Sequence, residues 1–99
     1  MMDHARLPKL TMEEYTGAAI DGATVYGPGD ERIGTIDRTY GTGQAAQVVI
    51  DVGGFSGMGT KPVLVSVREL DLRWEEDGSV RAITRWTRDD LKLMPAHED

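Results

Sequence analysis

The chain has 99 residues, 39% apolar and 28% charged, with no cysteine and a formal net charge of −6. That length suits one domain with one modest core, and the missing cysteines exclude disulfides, thiolate nucleophiles and Cys-ligated zinc or iron–sulfur sites. The acidic balance argues against a general nucleic-acid binder, whose affinity rests on phosphate neutralisation by Lys and Arg, and against unassisted docking on anionic lipid.

Residues 1–19 carry Pro8, Gly17 and scattered polar side chains without a sustained helical stripe. They are read as an N-terminal tail or docking arm, in which Thr11 and Glu14 fit a capping box over one turn. No apolar leader is visible at Met1–Pro8 and no apolar run approaches the roughly 20 residues of a membrane helix, so the expected location is cytoplasmic.

From Ile20 the pattern becomes β-like. Ala23–Tyr26 reads as a strand, Gly27-Pro28-Gly29-Asp30 as a turn, and Arg32–Tyr40 as a second strand. Gly34 inside that strand signals a bulge or a close backbone crossing. Gly41-Thr42-Gly43-Gln44 turns the chain into Gln47–Val52, an almost continuous apolar strand. A glycine loop and the strand Val63–Val67 follow. Leu70–Glu75 alternates with period two, which places Leu70, Leu72 and Trp74 on the core side and Asp71, Arg73 and Glu75 toward water. Asp77-Gly78 is a hairpin signal, returning Val80–Trp86. Thr87, followed by Asp89 and Asp90, predicts a capped helix over 88–94 with Leu91, Leu93 and Met94 on its apolar side, stopped by Pro95. Residues 96–99 are a short tail. Six short strands with turn signals between them predict a mainly β, small antiparallel barrel over residues 20–95 with a short C-terminal helix.

The glycine loop resembles a phosphate cradle at first sight. Gly54-Phe55-Ser56-Gly57-Met58-Gly59-Thr60-Lys61 is one residue out of step with the P-loop pattern, because Thr60 intervenes between the last glycine and Lys61. A P-loop also needs a helix next, and here Pro62 and a Val-rich strand follow. Gly53, Gly54, Gly57 and Gly59 are therefore read as structural loop glycines. Phe55 and Met58 either fold back on the core or stand out as a contact knob, with Lys61 beside them. Asp51, the odd residue in its apolar strand, either points outward at the pleat or, in the preferred reading, hydrogen-bonds the glycine-loop amides. Gly41-Thr42-Gly43-Gln44-Ala45-Ala46 fits a loose dinucleotide pattern but leads into a strand in a chain too short for a doubly wound sheet.

His4 and His97 lack spaced partners, the carboxylate pairs Glu75/Glu76 and Asp89/Asp90 are explained by a turn and a helix start, and no G-x-S-x-G occurs. No catalytic residue, cofactor or metal site is expected. Arg68, Arg73, Arg81, Arg85 and Arg88 cluster in the C-terminal half with Trp74 and Trp86, the residue types of interface hot spots. They form either a contact patch or a salt-laced sheet face with core tryptophans. Arg73, Trp74, Arg85 and Trp86 join Phe55, Met58 and Lys61 as the candidate interaction residues.

In order along the chain, Gly22–Tyr26, Asp30–Ile36, Ile50–Phe55 with Gly57–Val63, and Thr87–Leu91 with Met94-Pro95 resemble the PRC-barrel family. That family includes the cytoplasmic domain of the photosynthetic reaction centre H subunit and the C-terminal domain of a ribosome maturation factor. The resemblance implies a small β-barrel for assembly and docking and carries over no catalytic residues. The membrane helix and the RNA-processing companion domain of those two relatives have no counterpart here, so the chain is read as a stand-alone barrel. The expected function is a non-enzymatic protein-interaction module that self-associates, most simply as a homodimer. The alternatives are a small-ligand or metal-binding barrel, or an adaptor in ribosome- or RNA-related assembly acting through a protein contact rather than direct nucleic-acid binding.

Overall fold

The structure is a computed structural model that describes residues 6–53 and 59–98. Six strands form one sheet: β1 (Thr24–Tyr26), β2 (Arg32–Tyr40), β3 (Gln47–Gly53), β4 (Thr60–Ser66), β5 (Asp71–Trp74) and β6 (Val80–Ile83). Two short helices, α1 (Gly17–Ile20) and α2 (Arg88–Lys92), flank it.

The strand order is β4-β3-β2-β1-β6-β5. β1 to β4 form an antiparallel meander and β5–β6 a hairpin, but β6 lies parallel to β1, with Thr24 opposite Arg81 and Tyr26 opposite Ile83. The sheet is therefore mixed, not antiparallel throughout, and no ladder joins β4 to β5, so it is open and not a closed barrel. It is nonetheless not flat. β4 and β5 stand at opposite ends of the order, yet β4 ends at Ser66 and β5 begins at Asp71. Five residue steps reach about 17 Å, whereas opposite edges of a flat six-stranded sheet lie about 24 Å apart. The sheet must roll to bring its edges within reach, and a turn at Val67–Glu69 bridges them.

Rolling encloses one face. Ile20, Val25, Ile36, Val48, Ile50, Val52, Val63, Leu72, Ala82 and Leu91 are all almost completely buried there in one cluster. The cross-strand sets Ile36–Ile50–Val63 and Val48–Val65 supply its centre. Gly34 answers the close-crossing expectation: a Cβ built on it would lie 2.0 Å from the Asp51 carbonyl oxygen. The β2–β3 ladder also carries a bulge, between Ile36 and Arg38.

Turn chemistry holds where glycine signalled it. In the β5–β6 turn, Gly78 adopts φ +88°, and Asp77 accepts hydrogen bonds from the Ser79 amide and hydroxyl at 2.9 and 2.6 Å. These bonds hold the Asp77 carboxyl below the usual carboxylate range. α2 begins as its sequence predicts, with Thr87 Oγ1 accepting from the Asp90 amide and the Asp90 carboxylate accepting from the Thr87 amide. It ends at Lys92, two residues early. Leu91 is buried and Met94 packs on the core, but Leu93 is 85% exposed.

Residues 7–20 lie against the sheet. The Leu10 amide donates to the Leu72 carbonyl and the Trp74 amide to the Pro8 carbonyl, so the segment lines the outer edge of β5. Leu10 and Ile20 enter the core. Pro62 sits within β4, which proline tolerates because β4 is an edge strand whose outward side needs no ladder bond. The Pro62 carbonyl accepts from the His97 amide at 2.8 Å, bringing the C-terminal segment onto that edge.

Candidate functional site

Phe55 and Met58, with Gly54 and Gly57, lie outside the described residues, as do the loop amides assigned to Asp51 and the first candidate histidine, His4. The loop's stems are clear. Gly53 pairs with Thr60 across an antiparallel ladder and adopts φ +91°, so the glycine segment connects a hairpin. Lys61 faces α2 rather than a phosphate: its Nζ donates to the Lys92 carbonyl, satisfying an orphan group at the helix C-terminus, where a cation is favoured.

Asp51 stands in mid-β3, opposite Thr35 and Pro62. Burial pushes its carboxyl above the ordinary carboxylate value, the negative charge of Asp37 adds to this, and Arg38 opposes it. A raised folded-state value means that ionisation is disfavoured in the fold. The cost is present above that value and is relieved as pH falls through it. Asp51→Asn is therefore expected to melt higher than the wild type at neutral pH, with the gap closing in acid, as differential scanning calorimetry will show. A lower melting point at neutral pH would mean instead that the carboxylate holds the loop amides.

The Arg and Trp candidates do not form one patch. Arg73 and Trp74 are neighbours on β5 and point to opposite faces. The Arg73 side chain, only 12% exposed, does not face water as the alternation suggested. Its Nε donates to Asp71 at 3.0 Å and its Nη1 to the Leu7 carbonyl at 2.8 Å, fastening the N-terminal segment. Arg81, directly across from it, is buried, pairs with Glu75 and stacks 4.8 Å from the Tyr26 ring centroid. These two arginines are thus structural. Arg85 is 81% exposed in a pair with Glu69, a geometry worth little to stability. Trp86 packs against the core. The Arg88 guanidinium donates to the Arg32 carbonyl, and its amide to Glu31.

Trp74 opens onto a cavity. A groove of about 680 Å³ runs between α1 and the β5–β6 hairpin, lined by Trp74, Glu14, Asp21, Glu75 and Ser79 together with small residues that include Ala18, Ala19 and Gly22. Glu14 arrives on the N-terminal segment, where its Oε1 accepts from the Thr11 amide at 2.8 Å and the Trp74 indole N–H at 3.2 Å. The Thr11 bond first, then the Trp74 bond, hold its carboxyl below the usual range. Asp21 follows α1 and accepts from Thr39 Oγ1 at 2.7 Å. Glu75 accepts from Ser79 Oγ at 2.9 Å and from Arg81. The capping box was legible at Thr11 and Glu14, but nothing in the sequence tied Glu14 or Asp21 to Trp74, 60 and 53 positions away. A second, smaller groove of about 510 Å³ is lined by Arg85 with Arg68, Glu69 and Asp71.

Among the described residues, no three His, Asp or Glu side chains gather as a metal site, and no helix is long and apolar enough to cross a membrane. Compared with known families, the chain matches the PRC-barrel domain over residues 12–86. No curated protein matches it.

Proposed function

The chain belongs to the PRC-barrel domain family, and from that premise we propose that it is a non-enzymatic docking module whose partners include a second copy of itself. Small β-domains of this family often occur in protein assemblies. The observation that carries the reading is Leu93. It is a leucine 85% exposed at the end of α2, on the helix that Lys61 of β4 caps. The β4 edge is also the less covered of the two. Among the described residues one backbone bond from outside the sheet reaches it, at Pro62, while β5 is lined by residues 8–10. An exposed leucine near a sparsely covered strand edge is a surface that a second subunit can cover with itself, because a two-fold contact brings the same patch from both copies.

Leu93→Ser is expected to shift the mass measured by light scattering at micromolar concentration from a dimer toward the 10.9 kDa monomer. The melting temperature should stay nearly unchanged, since substitutions of exposed side chains fall within about 0.5 kcal/mol. A wild type that is monomeric at those concentrations would remove self-association from the reading.

A further inference from the structure

We propose that the groove beside Trp74 receives a basic peptide segment of a partner protein, with a lysine or arginine side chain laid against the indole. This rests on the docking reading above but not on self-association, which uses the opposite edge of the sheet. Among the described residues every ionisable side chain lining the groove is acidic, namely Glu14, Asp21 and Glu75, and no Lys or Arg lines it. Glu75 shares its charge with Arg81, so Glu14 and Asp21 supply most of the negative field. Among the described residues their hydrogen-bond donors, Thr11, Trp74 and Thr39, are neutral groups that do not offset either charge. Glu14 is also held ionised further into acid than an ordinary glutamate.

The form of the groove selects among cations. Among the described residues its carboxylates do not converge into a metal site, which suits an extended chain better than a single ion. The small residues Ala18, Ala19 and Gly22 in its lining leave little side chain to hold a peptide backbone away. Trp74 is pinned by Glu14 through its indole N–H, so the ring is already oriented before anything binds, and a pre-set aromatic loses little freedom on binding. A guanidinium or ammonium attracted to Glu14 and Asp21 arrives at an indole face, the strongest cation–π acceptor among side chains. The net charge of −6 steers such a partner toward the domain from a distance.

The test is a fluorescence-anisotropy titration of the full chain with a short labelled peptide rich in Lys and Arg, and with the same peptide carrying Gln at those positions. The basic peptide should bind at least about tenfold more tightly, and its affinity should fall as salt rises. Glu14→Gln with Asp21→Asn keeps the hydrogen-bond acceptors and removes the charges, so binding should weaken about tenfold while the melting temperature holds. Asp21→Asn alone provides a milder variant if the double one is unstable. Glu69→Gln, in the other groove, should leave binding unchanged. Equal binding of the neutral peptide, no binding of the basic one, or no loss in folded Asp21→Asn protein would overturn the proposal. None of these outcomes bears on the mass of the wild type, so failure here and failure of self-association are told apart.

Discussion

Gly34→Ala is expected to destabilise the domain by about 3 kcal/mol or more, enough to leave much of the chain unfolded in a small domain whose whole stability is about 5–15 kcal/mol. The added Cβ would lie 2.0 Å from the Asp51 carbonyl oxygen, 2.9 Å from the Asp51 carbonyl carbon and 3.2 Å from Val52 Cα. All three are backbone atoms of β3, which has no rotamer with which to step aside. Relief requires moving β2 away from β3, and that opens the ladder through Gly34–Val52 and Thr35–Asp51 at the centre of the sheet. Gly22→Ala is the proper comparison. Gly22 adopts φ +89° but has open space around its Cβ position, so only the conformational cost of about 1–2 kcal/mol applies. Urea unfolding of the two variants separates crowding from backbone freedom. If Gly34→Ala unfolds at the wild-type midpoint, the close approach of β2 to β3 is not as described.

Leu10→Ala is expected to cost about 2–4 kcal/mol, the range for deleting a buried leucine side chain and leaving a cavity. Leu10 is 5% exposed and belongs to the main core cluster, although it lies in the N-terminal segment. Its backbone also joins that segment to β5. The loss should therefore appear twice, as a lower unfolding midpoint and as faster amide exchange at Trp74, whose N–H is bonded to Pro8. Met12→Ala, at a side chain 54% exposed, should change neither by more than about 0.5 kcal/mol. If Leu10→Ala is equally silent, the segment is an appendage and not part of the fold. Weakening the segment also bares the β5 edge, and an uncovered edge strand is an aggregation template, so the variant should lose solubility on heating before the wild type does.

These two positions differ in how far the sequence exposed them. Gly34 was legible: a glycine inside a run of β-formers has few reasons to be there, and close backbone approach is one. Leu10 was not. A single apolar residue between Lys9 and Thr11 carries no periodicity, and the strand its backbone joins, at Leu72, lies 62 positions later. The same contrast runs through the site. The Thr11–Glu14 capping box and the Asp77-Gly78 turn are local patterns and were read locally. The meeting of Glu14, Asp21 and Trp74 joins three segments that share no pattern. The interaction residues chosen by type divided accordingly. Trp74 lines a groove, Arg73 and Lys61 are engaged in tying down the N-terminal segment and α2, and Phe55 and Met58 fall outside the described residues.

By itself the sequence determined the strands, the turns between them and the capped helix, because each is set by neighbours within a few residues: alternation, glycine at positive φ, a threonine before acidic residues. It also carried the family resemblance, which rests on the same local segments. The tertiary structure decided how the strands were ordered. Hairpin chemistry marks Gly27–Asp30, Gly41–Gly43, the glycine loop and Asp77-Gly78, and each of those connections reverses the chain. Val67–Leu70 has no such chemistry. There the chain does not reverse, β4 and β5 run the same way on opposite edges, and β6 comes to lie parallel to β1. Strand pairing is a long-range choice settled by which arrangement buries Val25, Ala82 and Leu72 together, and no local pattern encodes it.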